Sequence, residues 1–511
     1  MTIKNKFSMI WYFLVLGFLA VVSALWLRWR YKNRRLLAMA EKIVGPPTVP
    51  LLGNALMFMC ESQEQVVVIR DLMQMYGDIL RFWLGPDLCV LLSNPDDLKT
   101  LLSNSKISIK GPQYKYMADV LGGGILSGSG PTWRKHRKIA TPNYGKRAIE
   151  SYGYVFNKEV DGLMKKFRSF PEGRAFNVYQ YIVQSTSYAV CQTLMGLTKE
   201  QTMCLPYLQS LIDKSPRMYD ICYDRMTRWY LQIDPIFWLS RANRDLKEFL
   251  SMMTPFSRAI VTHRRERLKT VRDSQDLMNS EKDESINTTL SVIDRFILSQ
   301  ELDDDELFTE TFTVFTSSQE ASAKIASYII LMMAYHPECQ DKLFDEIKRV
   351  VGDNDREVTD EDFKIMPYLE MVFKETIRLF PIGAILQRTV PEDTVIKSGV
   401  LPAGCSLVIP IFHLHRDPRF WENPEDFDPE RFSPENSKLR HPNCYIPFSL
   451  GPMDCLGRYF GTKLVKTVCT RILREFEVSS PQTYQDLKVT ISISVMSITG
   501  YPVMLKRRNF K

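Results

Sequence analysis

The chain has 511 residues, of which 45% are hydrophobic and 24% charged, which is typical of an ordinary globular protein able to bury a large core. Its formal net charge of +7 is too diffuse to indicate nucleic-acid binding and suits a protein that lies on an anionic membrane surface. Ten cysteines without C-x-x-C spacing and six histidines without an H-E-x-x-H pattern exclude zinc sites of those types.

The first predicted element is a membrane helix. Phe7–Leu27 is an uncharged apolar run of 21 residues, and roughly 20 such residues span a bilayer. Because no small-residue cleavage site follows it, residues 1–28 are expected to form a retained anchor rather than a removed signal peptide. More cations follow the run than precede it, so the positive-inside rule places the rest of the chain in the cytosol.

Residues 29–54 are predicted to form a basic, proline-rich hinge. Its second half, Gly45–Gly53, contains three prolines, and proline-rich segments act as semi-rigid spacers. Such a hinge would hold the remaining residues, 55–511, at a set angle to the membrane. We expect those residues to form one catalytic domain.

The domain begins with a helix over residues 60–75 and a hairpin. Two apolar runs, Ile79–Leu84 and Leu88–Leu92, flank a Gly-Pro-Asp turn and predict antiparallel strands. From about 130 to 380 the periodicity of apolar residues is overwhelmingly helical. The charged stretch His263–Glu284 is expected to be a solvated helix end followed by a surface loop.

One very long helix is predicted over Asp304–Tyr335, which contains neither proline nor glycine. About 30 helical residues span roughly 45 Å, so this helix could form one wall of a buried site. Short strand-like runs follow around 394–411 and 488–505. Helices in one block and strands in a smaller one predict an α+β fold.

Trp133 and Arg137 stand four residues apart and share one helix face. An indole N–H and a guanidinium suit an anion such as a haem propionate, and Arg388 is a second candidate. Core packing is the alternative role for Trp133.

Glu375 and Arg378 lie three residues apart on a helix that is otherwise apolar, so the pair is predicted to be buried. Buried charges need complete partners. Arg431 is the candidate third member, because a guanidinium can bridge a carboxylate and the backbone.

Cys455 lies in Phe448-Ser-Leu-Gly451-Pro-Met-Asp-Cys455-Leu-Gly457 and is predicted to be a haem-iron ligand. A thiolate on haem iron favours O–O cleavage. Gly451 and Gly457 would let the backbone approach the sulfur and the porphyrin. Amide N–H groups after the cysteine would bond to the thiolate at the start of a helix. A small buried apolar cysteine is the alternative.

These four segments, in this order and spacing, resemble the cytochrome P-450 family of haem-thiolate monooxygenases, with its W-x-x-x-R, E-x-x-R, P-E-R-F and F-x-x-G-x-x-x-C-x-G signatures. The anchor and hinge resemble the microsomal class, and the later segments look most like insect members of the fatty-acid-hydroxylase-like clan. The resemblance implies a mostly helical fold with a small β-rich region and a haem b cofactor (iron protoporphyrin IX). It implies a role for each candidate: Cys455 as the iron ligand with Phe448 beside its sulfur; Trp133, Arg137 and Arg388 at the propionates; and Glu375, Arg378 and Arg431 as a folding triad below the haem.

Two positions depart from the family pattern. Met453 stands where the family usually has an arginine or histidine that contacts a propionate, so we expect weaker haem retention. In the oxygen-activation motif, Glu320 keeps the usual acid, but Ala321 replaces the threonine that helps to deliver protons. Ser322, an ordered water or a substrate hydroxyl could substitute, or the enzyme could do without dioxygen activation. Close packing around the cofactor is the alternative role for Ser322.

The resemblance also implies substrate contacts and partners. The segments Lys110–Ile125, Met218–Trp238 and Ile382–Leu386 are expected to line the pocket of a lipophilic small-molecule substrate fed from the membrane. NADPH-cytochrome P-450 reductase is the expected electron donor, with cytochrome b5 as a further candidate, at the endoplasmic reticulum membrane. Retention of Glu320 and a basic proximal surface at Lys463 and Lys466 favour this function. The alternatives are a haem-thiolate hydroperoxide isomerase or dehydratase and a non-catalytic haem protein that binds apolar ligands.

Overall fold

The computed structural model describes residues 3–273, 290–352 and 356–508. Its α-helices in the first part of the chain are α1 Ile3–Lys32, α2 Arg34–Ala40, α3 Ser62–Tyr76, α4 Pro95–Ser103, α5 Lys115–Leu121, α6 Gly130–Ala140, α7 Lys146–Ser151, α8 Gly153–Arg168, α9 Tyr179–Thr193, α10 Lys199–Met203, α11 Leu208–Thr227, α12 Asp234–Leu239 and α13 Arg241–Asp273. The later α-helices are α14 Val292–Ser299, α15 Asp304–Tyr335, α16 Pro337–Val351, α17 Asp360–Lys364, α18 Pro367–Leu379, α19 Ile411–Leu414, α20 Pro434–Lys438 and α21 Arg458–Glu475.

The strands are short and lie mainly near the two ends of the domain. They are β1 Ile79–Leu84, β2 Asp87–Leu92, β3 Phe176–Asn177, β4 Leu386–Thr389, β5 Thr394–Ile396, β6 Gly399–Leu401, β7 Ser406–Ile409, β8 Phe476–Ser479, β9 Val489–Ile491, β10 Val495–Ser497 and β11 Pro502–Arg507. A helical block with smaller sheets confirms the predicted α+β class.

The N-terminal helix α1 continues to Lys32, past the predicted end of the anchor at Arg28. Its segment Trp11–Lys32 is long and apolar enough to cross a membrane, and none of the apolar window is buried against the rest of the protein. An apolar helix with no protein partner needs another apolar environment. A bilayer supplies that environment.

The hinge region is more ordered than a flexible spacer. Its first part forms the end of α1 and α2, because the run after Asn33 is rich in Leu, Ala, Met and Arg, which favour helix. Its second part lies along β1, where the Arg81 N–H donates to the Val44 carbonyl over 2.8 Å and Gly53 pairs with Leu84. A Cβ on Gly45 would stand 2.1 Å from the Arg81 carbonyl oxygen, so the close approach requires glycine.

The main sheet has the strand order β1-β2-β7-β4. The predicted hairpin is confirmed, since β1 and β2 pair antiparallel from Ile79 opposite Leu92 to Leu84 opposite Asp87. Strand β7 pairs parallel to β2 and antiparallel to β4. This topology brings β4, with Arg388, beside the start of the chain's helical block.

The predicted long helix is confirmed as α15, with the predicted bounds. Asp303 caps it by accepting from the Glu306 N–H over 2.8 Å, and its own N–H reaches the Glu306 carboxylate. The helix packs against α9, α13 and α21 and is buried along most of its length. The charged stretch His263–Glu284 begins inside α13, and its part after Asp273 lies outside the described residues.

Candidate cofactor site

A cavity of about 460 Å³ lies between α15, the segment before α21 and the main sheet. Its volume is in the range of small-molecule and cofactor sites, roughly 300–1,000 Å³. Most of the candidate residues from the sequence line it: Trp133, Arg137, Glu320, Ser322, Arg388, Phe448, Cys455 and Gly457. Gly451 and the triad of Glu375, Arg378 and Arg431 lie outside its wall.

Cys455 lies on a closed turn immediately before α21. Its N–H donates to the Phe448 carbonyl over 2.9 Å, which closes the loop between the two residues. The Gly457 backbone N–H bonds to the sulfur, in the arrangement expected for a thiolate ligand. Cys455 is exposed only at the cavity that it lines, and its enclosure by protein raises the pKa of the thiol; Asp454 acts in the same direction, and the Gly457 N–H, Arg137 and Arg458 act in the opposite direction.

The two glycines of this segment have different structural roles. A Cβ on Gly457 would meet no atom within 4 Å, so this side of the backbone is open toward the cavity. Gly451 has φ +72°, and its Cβ would stand 2.1 Å from the Leu102 carbonyl oxygen. We had expected Gly451 to make room for a porphyrin; instead, it permits a left-handed turn packed against α4.

Arg137 does not extend freely toward the cavity. Its Nη1 donates to the Asp454 carbonyl and its Nη2 to Asp454 Oδ1, both over 2.7 Å. This fork joins α6 to the cysteine segment. Met453, next to Asp454, is buried in the cavity wall and brings no charge.

Two further cations lie at the cavity, and the sequence had singled out only one of them. Arg388 is 2% exposed and donates to the Gln387 carbonyl over 2.9 Å. Lys110 pairs with Arg388 through an isolated antiparallel bridge and also lines the cavity. Burial lowers the pKa of Lys110 well below its usual value, and Arg388 and Arg137 lower it further. Burial lowers the pKa of Arg388 too, while Tyr114 acts in the opposite direction.

The residues around the cavity fit a haem. The sulfur of Cys455 stands in the wall and receives a backbone hydrogen bond from Gly457. Gly457 leaves the backbone beside the sulfur open to the cavity. Lys110 and Arg388 have no carboxylate contact among the residues that the structure describes. Arg388 is buried and Lys110 half-buried, and cations enclosed in this way without a carboxylate are stabilised by an anion. The two propionates of a haem are such anions.

The triad residues form a buried charged network below the cysteine segment. Arg378 holds Glu375 with two bonds of 2.7 Å, and both side chains are fully buried. The remaining Arg378 donors reach the carbonyl oxygens of His415, Pro424 and Asp426 at 2.9, 2.7 and 3.0 Å. Arg431 Nε lies 3.5 Å from Glu375 Oε1 as an ion pair.

His415 connects this network to the cysteine segment. Its carbonyl accepts from Arg378, and its Nε2 accepts from the Ile446 N–H over 3.0 Å, two residues before Phe448. Burial lowers the pKa of His415 to about 3, and the nearby cations Arg378 and Arg416 add to the effect. The ring is therefore neutral and able to accept. Sequence reasoning missed His415, because only the fold brings it to Ile446.

On the opposite wall, Glu320 is buried beside Lys324. Lys324 Nζ lies 2.6 Å from Glu320 Oε1 and donates to Ser494 Oγ over 2.6 Å. The contact between Lys324 and Glu320 is an ion pair whose angles do not suit a hydrogen bond. Among the described residues, both Glu320 oxygens are therefore without a hydrogen-bond donor. Sequence reasoning missed Lys324, although it stands four residues after Glu320, a spacing at which opposite charges pair on a helix.

The hydroxyl of Ser322 is used within α15. It donates to the Ser318 carbonyl over 2.8 Å, as Ser317 does to the Thr313 carbonyl over 2.6 Å. Both serines therefore give their proton to the helix backbone. Ala321 contributes only a methyl group to the cavity wall between Glu320 and Ser322.

All three segments expected at the substrate contribute side chains to the cavity. They are represented by Tyr114, Met117 and Ile125, by Tyr219, Tyr223 and Met226, and by Ile382, Ile385 and Leu386. The aromatic residues at the end of the second segment, Trp229 to Trp238, do not line it. Trp238 is instead 63% exposed, and the neighbouring Leu239 is 88% exposed.

The expected basic surface at Lys463 and Lys466 is wrong. Both side chains are more than nine-tenths buried, and they pair with Asp360 at 2.7 Å and Glu370 at 2.5 Å. Their positions on α21 turn them toward α17 and α18 rather than toward solvent. The exposed cations near the cysteine segment are instead Arg134 and Lys138 on α6 and Arg458 at the start of α21.

Comparisons with known proteins relate the whole chain to one family. A sequence model of the family described as cytochrome P450 matches residues 44–504. The chain is 30% identical to cytochrome P450 4V2 of Homo sapiens over 477 residues, which cover 91% of this chain and 90% of that protein. It is 29% identical to cytochrome P450 4d1 of Drosophila melanogaster over 519 residues, which cover 97% and 99% of the two chains.

Proposed function

The chain belongs to the cytochrome P450 family, and from this premise we propose a membrane-anchored monooxygenase that inserts one oxygen atom of O₂ into a lipophilic small molecule. Its cofactor is haem b, and its electrons come from NADPH through NADPH-cytochrome P-450 reductase, with cytochrome b5 as a second donor. The endoplasmic reticulum membrane holds its anchor, and the catalytic domain faces the cytosol.

The observation that carries the proposal is the environment of Cys455. The sulfur lies at a cavity wall, receives the Gly457 N–H and sits just before the N-terminus of α21. A backbone donor and the positive end of a helix dipole both favour a thiolate over a thiol. Haem ligated in this way supplies the redox chemistry that activates dioxygen.

The residues of the chain divide the remaining tasks. Arg388 and Trp133 offer donors to the propionates, while the triad and His415 hold the cysteine segment in place. Glu320 is the carboxylate in the wall opposite the sulfur segment, so we assign it to proton supply. Ser322 cannot give its proton to a ligand while it donates to Ser318. A water or a substrate hydroxyl has to connect Glu320 to the reacting oxygen.

An apolar substrate is supported by the cavity wall and by the outer surface near it. The wall includes Phe58, Ile69, Leu72 and Phe82, which follow the anchor in the chain. An exposed apolar face formed by α12 lies close to this region, because the Trp229 N–H reaches Met59 sulfur over 3.1 Å. Exposed apolar patches of this kind mark interaction surfaces. Here the membrane is the natural partner, since α1 already brings the chain to it.

An acidic electron-transfer partner is supported by the exposed cations Arg134, Lys138 and Arg458. They lie on α6 and at the start of α21, the two elements that meet the cysteine segment. Complementary charge speeds association and fixes orientation. Replacing these three residues by glutamine should lower the rate of reduction by the reductase without changing the optical spectrum.

The decisive experiment uses the full chain in membranes with reductase and NADPH. The reduced carbon-monoxide complex should show the thiolate band, and Cys455→His should shift it while haem is retained. A panel of fatty acids, terpenoids and plant toxins then identifies the product. A carbon-monoxide band that is unchanged in the variant would contradict the thiolate assignment.

A second function, hydroperoxide isomerase or dehydratase, is favoured by one observation. Neither Ala321 nor Ser322 offers a proton to the cavity, and such a reaction needs none. Turnover of lipid hydroperoxides without reductase would support it. The carboxylate of Glu320 at the cavity weighs against it, since such a reaction has no use for a proton donor there.

A further inference from the structure

A buried ion pair on α15 lies in the cavity wall. Lys324 stands one turn after Glu320, and both residues line the cavity. The side chains of Lys324 and Glu320 are 4% and 5% exposed, and Lys324 Nζ lies 2.6 Å from Glu320 Oε1. Because the ammonium neutralises the carboxylate, this part of the wall is polar but has no net charge.

Other polar side chains in the same wall are already paired with one another. The Tyr223 hydroxyl donates to Gln65 Oε1 over 2.7 Å, and the hydroxyl oxygens of Tyr219 and Thr316 lie 3.2 Å apart. All four residues line the cavity. Since buried polar groups are stable when they are hydrogen-bonded, these pairs need no polar group from a ligand.

The hydrogen bonding of Glu320 and Lys324 is incomplete. Lys324 donates one N–H to Ser494 Oγ over 2.6 Å, and an ammonium group has three N–H donors. Among the described residues, neither oxygen of Glu320 receives a hydrogen bond. A buried carboxylate needs hydrogen-bond donors as well as a counter-charge. The pair can therefore accommodate a ligand group that both donates and accepts a hydrogen bond.

The two residues that follow Glu320 do not supply the donor that its carboxylate lacks. Ala321 has only a methyl group in the cavity wall. The Ser322 hydroxyl donates to the Ser318 carbonyl over 2.8 Å. A donor to Glu320 therefore has to come from a molecule inside the cavity.

The charge balance of the pair favours a neutral ligand group. An anionic group would leave one ammonium for two carboxylates, and a cationic group would leave two cations for one carboxylate. Enclosing an unpaired charge is costly. A hydroxyl group is neutral, donates one hydrogen bond and accepts others.

We propose that Glu320 and Lys324 together bind a hydroxyl group of the substrate, so that a lipophilic alcohol is the preferred substrate class. This proposal rests on the proposed function, because the cavity is taken to be that of the monooxygenase. The hydroxyl donates to Glu320 and accepts from Lys324, while the rest of the molecule fills the apolar part of the cavity. Lys324 is then a specificity-determining residue.

The test measures the binding of 1-dodecanol and of its methyl ether to the purified full-chain holoprotein in lipid nanodiscs, by equilibrium dialysis. The ether cannot donate a hydrogen bond. The ratio of the two dissociation constants should change by about tenfold to hundredfold between the natural chain and the double variant Glu320→Met with Lys324→Met, as expected for a hydrogen bond to a charged group. Partition of the ligands into lipid is the same for both proteins and cancels.

The double variant is designed to fold, because replacing both members of a buried ion pair by apolar residues of similar volume is often neutral for stability. Its thiolate band reports whether it holds haem normally. If the band is lost, Glu320→Leu with Lys324→Leu makes the same comparison.

The matched control is Ser317→Ala. Ser317 lines the cavity on the same helix and already donates to the Thr313 carbonyl over 2.6 Å, so its variant should leave the ratio unchanged. Lys324→Arg, which keeps the ion pair, should retain most of the preference for the alcohol. An unchanged ratio in the double variant would place the hydroxyl elsewhere and overturn the proposal.

A third ligand, dodecanoate, tests an anion site instead. Dodecanoate that binds more tightly than 1-dodecanol, and loses this advantage in Lys324→Met, would also overturn the proposal. These outcomes are separate from the proposed function. A normal thiolate band together with an unchanged ratio removes only the hydroxyl site, whereas a natural chain without the thiolate band removes the proposed function itself.

Discussion

At the residue scale, the loop before Cys455 carries a charge of the opposite sign to the one expected from its family. Asp454 adds a carboxylate, Met453 adds none of the usual positive charge, and Arg137 neutralises Asp454 from α6. The cavity is also lined by cations from β4 and from the segment before α5. This site is distinguished by where its charged residues lie rather than by how many charges it has.

The first prediction concerns Met453→Arg. A guanidinium at this buried position in the cavity wall can donate to a propionate. One such charge-assisted bond contributes about 1.5–3 kcal/mol, so haem should dissociate about tenfold or more slowly. Haem transfer to apomyoglobin measures it. Met453→Gln, which is polar but uncharged, should change the rate far less; equal slowing in both variants would refute the charge argument.

The second prediction concerns Ala321→Thr. The added hydroxyl would lie next to Glu320 in the cavity wall, where it can pass a proton. General acid assistance is worth roughly 10²–10⁴-fold, so product formed per NADPH should rise and hydrogen peroxide should fall. Ala321→Val has the same shape without the hydroxyl. If valine improves coupling as much as threonine does, packing rather than proton supply is the cause.

Single residues also show what a sequence can and cannot predict. Trp133, Cys455 and Glu320 were predicted to meet at one site because a short spacing or a known signature marks each of them. Lys110 and His415 carry no such mark, since their partners Arg388 and Ile446 are hundreds or tens of residues away. The predicted basic surface at Lys463 and Lys466 was wrong because the sequence does not show that each lysine is buried against a carboxylate.

At the element scale, the network below the cysteine segment links three parts of the chain that are separate in sequence. Arg378 on α18 bonds to the His415 carbonyl after α19, and the His415 ring bonds to the Ile446 N–H before the cysteine turn. Breaking a buried ion pair by removing one partner costs about 3–5 kcal/mol. The same loss would leave the cysteine turn without its support.

This network predicts how stability depends on pH. The pKa of His415 is about 3 in the folded chain and about 6.5 when the chain is unfolded. Because the unfolded chain binds the extra proton, stability should fall as pH falls below 6.5, by about 1.4 kcal/mol per pH unit for this group. Urea unfolding between pH 7 and 5 measures the slope.

The matched variant for this measurement is His415→Gln, whose amide oxygen can still accept from the Ile446 N–H. It should unfold with a shallower pH slope than the natural chain. His413 adds a second contribution of the same sign, because burial lowers its pKa to about 4. An identical slope in the natural chain and in His415→Gln would remove His415 from the acid response.

Elements were predicted better than their connections. The bounds of α15 followed from the absence of proline and glycine, and the β1–β2 hairpin from its turn residues. The hinge was predicted from its prolines, which occur only in its second half. The helix before them forms because the residues after Asn33 favour helix. The proline-containing half lies along β1 because of a tertiary contact at Gly45, which composition does not reveal.

At the scale of the whole molecule, two exposed apolar surfaces are available to contact a bilayer. One is the helix α1, and the other is the exposed face of α12 with Ile236, Trp238 and Leu239. A helix that spans the bilayer would anchor the protein irreversibly, whereas the second surface would add only a shallow interfacial contact. Two contacts fix an orientation that one alone would leave free to rotate.

The whole-molecule prediction is that removing residues 2–32 weakens membrane binding without abolishing it. The shortened protein should still bind lipid vesicles through α12, and Trp238→Ser with Leu239→Ser should release it. Leu439→Ser is the control, because Leu439 is 86% exposed on another element. Vesicle sedimentation measures the bound fraction. Complete release by the truncation alone would show that α12 does not touch lipid.

The attachment of the segment 41–54 along β1 has a consequence for enzyme kinetics. Phe58, Ile69 and Leu72 come after that segment and form part of the cavity wall, so in the proposed membrane orientation the cavity would stay at a constant height above the phospholipid. A lipophilic substrate of the kind proposed would reach it by lateral diffusion in the bilayer, and its effective concentration would be its mole fraction in lipid. Adding empty vesicles at constant total substrate should therefore raise the apparent KM in proportion to the dilution.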